Sequence, residues 1–400
     1  MGYYKENAWW VSPYNDMEEI RQEIQMNPNL KIHDATLRDG EQTPGVVFSP
    51  EDKKRIADGL MELGVERIEA GMPAVSEDDQ KAIKMICRDR GKTEVFAFSR
   101  AMRKDIDMAL DCGVDGVVIE VPIGYPKLKY QFGWTWENVL EKSVDTISYA
   151  RQNGLYVVYF PYDTTRSRTE DFDSLIKGLM ENAKPDSIGL VDTMGCALPQ
   201  TIAYMVRRLK GMTGLPIEVH THNDFGMAVA TELAGAAAGA DVLHACVNGM
   251  GERTGNAALE ELILGLTMLY GLEKPYRMEK MLKLCNLVSE ISGIPIAGNK
   301  PFSGSRNYAR ESGIGIEFVQ EQPLVMFATD PHYFGREAQV VLGKKSGRKS
   351  IEYVLDKMGV IATEDQVADM LREVKKTSID CKRLITVSEF EQIAQKCMRN

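Results

Sequence analysis

The sequence predicts an α/β protein: a (β/α)8 TIM barrel followed by a small, mostly helical C-terminal region. Three observations carry this expectation. From Lys31 to about Tyr270, short apolar stretches, mostly rich in Val or Ile, alternate with segments of helical periodicity. Gly-Val or Gly-Ala pairs (Gly64-Val65, Gly113-Val114, Gly239-Ala240) stand ahead of three of those stretches, as helix-to-strand turns require. Polar residues gather where the stretches end, and barrel enzymes place their chemistry at the C-terminal ends of the strands.

Taken in order, residues 1–30 hold five aromatics (Tyr3, Tyr4, Trp9, Trp10, Tyr14) ahead of a polar helix. They read as an arm packed on the barrel or on a neighbouring subunit. Strands are predicted at 31–36, 66–71, 93–98, 115–121, 155–160, 186–191, 216–220 and 241–246. Eight strands and eight helices in about 240 residues match the parallel barrel. The first helix follows Ser49-Pro50, a capping residue with proline at the first helical position. The barrel domain is expected over 31–275, with C-terminal subdomains over 276–400 and no length for a regulatory domain. A Gly/Ser-rich connector runs from Asn299 to Arg306 and again from Glu311 to Ile316.

Composition excludes several classes. The chain has 400 residues, 44% of them hydrophobic, enough for one barrel and something smaller. A net charge of −10 argues against non-specific nucleic-acid binding. No apolar run reaches the ~18 residues of a membrane helix, and no secretory signal opens the chain. Seven cysteines without a C-x-x-C pair read as free thiols in a reducing compartment, so a cytoplasmic protein is expected.

The chemistry centres on Lys31-Ile-His-Asp-Ala-Thr-Leu-Arg-Asp-Gly-Glu-Gln42, a strand ending in a guanidinium beside a carboxylate. Such a pair can hold a hard metal and an anionic oxygen together. Far downstream, His220-Thr-His222 presents two imidazoles on one strand face, because alternate residues share a face. Asp39, His220 and His222 therefore suggest a divalent-metal site, Mg, Mn or Zn, assembled from distant segments. A bare H-x-H is more often a satisfied core pair, and the flanking motifs reverse that balance here. Of the other histidines, His244 reads as structural and His33 and His332 have no evident role. Arg38, always charged, can donate to a developing alkoxide. Its alternative is a rim ion pair with Glu41 or Glu69.

The segment Asp34–Gln42, the run His220-Thr-His-Asn-Asp-Phe-Gly226 and the run Val247–Glu260 together resemble the isopropylmalate, homocitrate and citramalate synthases. These belong to the metal-dependent barrel group that includes hydroxymethylglutaryl-CoA lyase, and the resemblance extends from about Lys31 to about Leu355. It implies Asp39, His220 and His222 as metal ligands, Asn256 as a fourth, and Thr193 as a substrate-carboxylate contact. Gln42 and Glu69 are expected beside Arg38 in the substrate site. The implied reaction condenses an acyl-CoA, acetyl-CoA, with a 2-oxo acid in a Claisen-type step, within a homodimer. The implied alternative is a carbon–carbon lyase, aldolase or decarboxylase working without acyl-CoA. A barrel with a purely structural metal is a third reading, opposed by the intact polar rim.

Three positions depart from the family pattern. Tyr162 stands where the family carries glutamate in Ser-x-Glu-Asp-x-x-Arg, here Phe160-Pro-Tyr-Asp-Thr-Thr-Arg166. Glu311-Ser-Gly-Ile-Gly315 ends in glycine where the family has histidine, and Met326 takes the place of a tyrosine. Two residues are expected to take over acid–base work. Tyr162 can do so only with a lowered pKa. Glu120, at the end of an apolar strand, would gain a raised one by burial, unless it pairs with a rim cation such as Lys127 or Arg166. Cys196 and Cys246 are expected to be buried small hydrophobes. The run Tyr125–Trp136 is expected to shape the pocket, a lid or an interface.

Overall fold

The computed structural model describes residues 2–399. Eight parallel strands close into a barrel: β1 (Lys31–Asp34), β2 (Arg67–Glu69), β3 (Glu94–Arg100), β4 (Gly116–Pro122), β5 (Tyr156–Tyr162), β6 (Ser187–Asp192), β7 (Ile217–Thr221) and β8 (Val242–Ala245). Each strand pairs with the next in sequence, and β8 closes on β1 with His244 opposite His33. The outer helices are α1 (Pro50–Leu63), α2 (Glu77–Arg88), α3 (Arg103–Cys112), α4 (Trp136–Gln152), α5 (Thr169–Asn182), α6 (Pro199–Thr213), α7 (Ala228–Ala237) and α8 (Leu259–Leu264).

Local chemistry explains the boundaries. Ser49 accepts from the Asp52 N–H and Asp52 reciprocates, so α1 opens on a capping box with Pro50 behind it. Gly64 ends the helix in a left-handed turn at φ 100°. β1 stops at Asp34, earlier than predicted, because the Asp34 carboxylate takes the Thr36 N–H at 2.9 Å and the Thr36 hydroxyl at 3.0 Å. That turn competes with the strand ladder. β3 and β5 run longer than predicted, to Arg100 and Tyr162, since their register with β4 continues to the rim.

Inward-facing residues divide the barrel interior into two halves. Strands β3–β6 contribute an apolar cluster of Phe96, Phe98, Val118, Val158, Phe160 and Val191, with Met72, Tyr156 and Tyr162 packed against it. Burying side chains of this size contributes about 1.5–3 kcal/mol each. Strands β7, β8, β1 and β2 instead carry buried Glu218, His220, His244, His33, Arg67 and Glu69. The polar half is where cofactor chemistry is to be sought.

The chain forms two compact units, Tyr14–Ile296 and Met1–Pro13 with Ala297–Asn400. The first includes α9 (Met278–Ser292). Arg21 of the first unit donates to the Tyr270 carbonyl at 2.9 Å and Gln25 N–H to the Ala237 carbonyl at 2.7 Å. Residues 2–13 belong elsewhere: Trp10 N–H donates to Ala328 and Asp330 N–H to Ala8, each at 2.8 Å. The expected arm thus divides at Pro13. The second unit ends in α10 (Arg348–Lys357), α11 (Glu364–Cys381) and α12 (Val387–Met398), packed around Ile351, Met370, Val374 and Phe390. Among the described residues, no helix is long and apolar enough to cross a membrane.

Candidate metal centre and active site

The turn after Asp34 sends Leu37 to Gly40 back across the barrel mouth, with the Gly40 N–H returning to the Ala35 carbonyl at 3.1 Å. Asp39 is buried there. On β7, Thr221 faces outward to the Ala228 carbonyl and to Glu232 on α7, each at 3.1 Å, so His220 and His222 face inward. Asn256, in the loop after β8, bridges backbone to His222. The three segments meet. Asp39 Oδ2 lies 3.4 Å from His220 Nε2 and 3.9 Å from His222 Nε2, and the two Nε2 atoms are 3.4 Å apart. Asn256 Nδ2 donates to Asp39 Oδ1 at 3.0 Å.

The donor set fits a divalent cation. Ligands about 2.1 Å from a tetrahedral ion stand about 3.4 Å from one another, close to the spacings found. Burial, with His220 and Arg253 nearby, takes His222 down to about 4 against the pull of Asp39. Burial likewise lowers His220. Both imidazoles are therefore neutral, with lone pairs available, at neutral pH. Burial opposes ionisation of Asp39, but Arg38 and the two histidines hold it well below the usual carboxylate range. Asn256 Oδ1 is buried without a hydrogen-bond partner, an orphan acceptor beside the carboxylate.

Arg38 adjoins this cluster. Its Nη1 donates to Asp39 Oδ2 at 2.9 Å and its Nε to Glu69 Oε1 at 2.7 Å. Its guanidinium lies over the Phe98 ring, 4.4 Å from the centroid. Despite burial, Arg38 and His33 keep Glu69 ionised, at about 2. The ion pair of Arg38 with Glu69, the alternative reading of Arg38, is thus present and buried, while Glu41 turns away to Lys53 at 2.6 Å. Gln42 is exposed and reaches Arg38 only at 3.5 Å, a weak contact. Thr193 Oγ1 accepts the Asp163 N–H at 2.7 Å, which leaves its own proton free to donate.

Two candidates for acid–base work separate here. Burial raises Glu120 to about 7, with Arg38 opposing and Asp39 and Glu69 reinforcing the shift. The alternative ion pair with Arg166 is corrected by the structure, because Arg166 clamps both oxygens of Asp163 at 2.8 and 2.7 Å. Lys127 does not pair with Glu120 either. Tyr162 does not show the lowered pKa that base work would need. Burial, together with Glu120 and Asp163, raises its phenol, so it keeps its proton at neutral pH and can act only as a donor.

The other two departures touch each other. A Cβ on Gly315, at φ +77°, would stand 2.7 Å from Met326 Sδ, and Met326 packs on Ile316, Val319 and Ala338. The pair has become part of an apolar cluster. Cys246 is buried as expected, but Cys196 is exposed, 3.7 Å from Asp192 Oδ1, because the loop after β6 carries it outward.

The glycines after β8 serve close approach. A Cβ on Gly251, at φ +144°, would lie 2.2 Å from Asn256 Nδ2 and 2.9 Å from Asp39 Oδ1. Sequence reasoning passed over Arg253 in the same loop. It adopts φ 56°, grips both oxygens of Asp224 at 2.9 and 3.0 Å and reaches the Thr193 carbonyl, tying together the loops after β6, β7 and β8. Its only sequence signal is membership of the Val247–Glu260 run.

His33, Glu218 and His244 form a second buried group of ligand-type side chains. The two rings stack, with centroids 4.2 Å apart and planes 1° from parallel. Glu218 is already taken by Arg67 at 2.9 Å, Ser187 at 2.6 Å and His244 at 2.9 Å. Glu218 thus ties His244 into the core, while both ring nitrogens of His33 and Nδ1 of His244 are buried without a hydrogen-bond partner.

Comparison with known proteins follows the same lines. The HMGL-like family matches residues 29–288, and the homocitrate synthase post-HMGL domain-like family matches residues 303–382. A homocitrate synthase of Methanopyrus kandleri is 39% identical over 97% of this chain and 97% of its own length. A second, from Methanocaldococcus jannaschii, is 38% identical over 100% of this chain and 97% of its own. An (R)-citramalate synthase of the latter organism is 38% identical over 87% of this chain and 70% of its own. The hydroxymethylglutaryl-CoA lyase of Pseudomonas aeruginosa shares the fold, with a TM-score of 0.59 and 20% identity over 68% of this chain and 95% of its own. With its barrel, its ligand cluster and these relatives in agreement, the chain belongs to the HMGL-like family.

Proposed function

We propose that this protein condenses the acyl group of acetyl-CoA with a 2-oxo acid, using a divalent metal. The observation that carries the reading is the convergence of Asp39, His220 and His222 beside Arg38 at the mouth of the barrel. The names of the synthase relatives support it, and favour it over the lyase, aldolase or decarboxylase alternative.

Asp39, His220, His222 and Asn256 would hold the ion, Mg, Mn or Zn, which supplies Lewis-acid polarisation when bound. The chain's own groups do the rest. Arg38, fixed by Glu69 and Asp39, offers a preorganised donor to the alkoxide that forms when the ketone is attacked. Glu120, raised to about 7, takes the proton from the thioester methyl group in this reading. Tyr162 gives its proton to the alkoxide and regains one from protonated Glu120, and the Thr193 hydroxyl binds the substrate carboxylate. Water then hydrolyses the condensed thioester to the acid and free CoA thiol. Gln42 closes the rim beside Arg38.

The barrel, as the catalytic domain, with helical subdomains after it, belongs to the same proposal. So do the homodimer and the cytoplasmic location, which rest on the family resemblance and on composition. The test supplies acetyl-CoA, a panel of 2-oxo acids and each of the three metals, and follows free CoA thiol. Oxo-acid-dependent thiol release is the expected result. Its absence with every oxo acid, alongside cleavage of a hydroxy acid, would overturn the synthase in favour of the lyase.

A further inference from the structure

The loop that leaves β4 two residues beyond Glu120 turns through a six-residue helical segment, Lys127–Phe132. It carries positive charge and aromatic rings together. Arg168, just before α5, lies 3.9 Å from the Tyr125 ring centroid, and Lys129 lies 5.5 Å from the same ring and 4.9 Å from Tyr130. Lys142 stands 5.1 Å from Trp134, which packs at 4.7 Å against Phe132. Among the described residues, none of Lys129, Lys142 and Arg168 is paired with a carboxylate, although Glu137, Glu141, Glu170 and Asp171 lie nearby in sequence.

Lys129 and Arg168 share the Tyr125 ring with no carboxylate between them, so in a chain of net charge −10 this corner presents net positive charge to an incoming anion. The local field is registered by Tyr125, whose phenol Lys129 and Arg168 hold below its usual range. Tyr130 is 76% exposed, an open face for a planar ring. We propose that Tyr125, Lys129, Tyr130, Trp134, Lys142 and Arg168 form the site for the nucleotide end of the acyl-CoA, with arginine and lysines on its phosphates and an aromatic face under its adenine.

Chemistry and place both favour this ligand. Guanidinium and ammonium groups are the standard phosphate donors, and adenine stacks on aromatic rings. The loop and the Arg168 corner leave the strands that carry Glu120 and Tyr162, and Ile123 N–H donates to the Tyr162 carbonyl at 3.1 Å. The nucleotide would thus sit on the same rim as the reacting thioester, one pantetheine arm away. The inference rests on the acyl-CoA reading above.

The experiment titrates adenosine 3′,5′-bisphosphate, which has no thioester, into the full chain by calorimetry. The expected result is saturable binding that weakens about tenfold or more in Lys129→Ala/Arg168→Ala and in Tyr130→Ala. In the same variants KM for acetyl-CoA should rise by a similar factor, with kcat and the oxo-acid KM unchanged. All three residues are exposed, so the fold should persist, and circular dichroism checks it. No binding to the wild type, or equal binding to the variants, overturns the site. So does inorganic phosphate competing as well as the bisphosphate, which would indicate a free-phosphate site. Bisphosphate binding without thiol release from any oxo acid upholds the site while sinking the synthase activity.

Discussion

Arg38 Nε donates to Glu69 Oε1 at 2.7 Å while its Nη1 reaches Asp39 Oδ2 at 2.9 Å, so one guanidinium spans two buried carboxylates. That fork sets the direction in which the cation can donate. Arg38→Lys keeps the charge and loses the fork. It should lower kcat by about 10²–10³ with bound metal retained, because removal of one preorganised donor costs about that much. Metal content and steady-state rates on the same preparation check it.

Bound metal should stabilise the fold. Zn, Mn or Mg added to chelator-treated protein should raise Tm, by an amount set by its concentration over Kd. Asp39→Asn and His220→Ala should abolish both the rise and stoichiometric metal in elemental analysis. Retention of one tightly held ion in both variants would remove the proposed ligand set.

Glu120 fixes the pH dependence. Its ordinary value is 4.5 and burial raises it to about 7 in the fold. The proton is therefore held more tightly folded than unfolded. The stability this group contributes is full below about 4.5 and is lost as pH rises through about 7. Glu120→Gln should consequently be more stable than wild type at pH 8, by on the order of 2 kcal/mol. The rate runs the other way: kcat/KM should climb through pH 7 as the base form appears, and the variant's profile should be flat and low. A thermal-shift series and a pH–rate profile read the two effects separately.

Gly251→Ala tests the glycine loop. Its new methyl would press on Asn256 and Asp39 at a backbone angle that alanine rarely adopts. A loss of about 1–3 kcal/mol is expected. Metal affinity should weaken by about 10–100-fold, the usual cost of disturbing what orients a ligand.

Tyr162→Phe separates donor from base. Since the phenol keeps its proton, the variant should lose about tenfold to a hundredfold in kcat without moving the pH at half-maximal rate. A displaced profile would show that Tyr162, rather than Glu120, titrates in the reaction.

Much of this molecule was legible in the order of its residues. Alternation of apolar stretches with helical periods marked the barrel, because buried parallel strands and their covering helices are local patterns. Two-residue spacing placed His220 and His222 on one face, and the Arg38-Asp39 pair after β1 marked the rim. Tertiary structure decided what depends on partners distant in sequence. It committed Arg166 to Asp163, freeing Glu120, and it buried the Tyr162 phenol beside Glu120 and Asp163, which raises it. It stacked His33 on His244 beside Glu218, and it drew residues 2–13 to Ala328 and Asp330. The physical reason is common to these cases. Periodicity records which side of an element is buried, whereas ion pairing and pKa depend on which atoms lie within a few ångströms once every element has been packed.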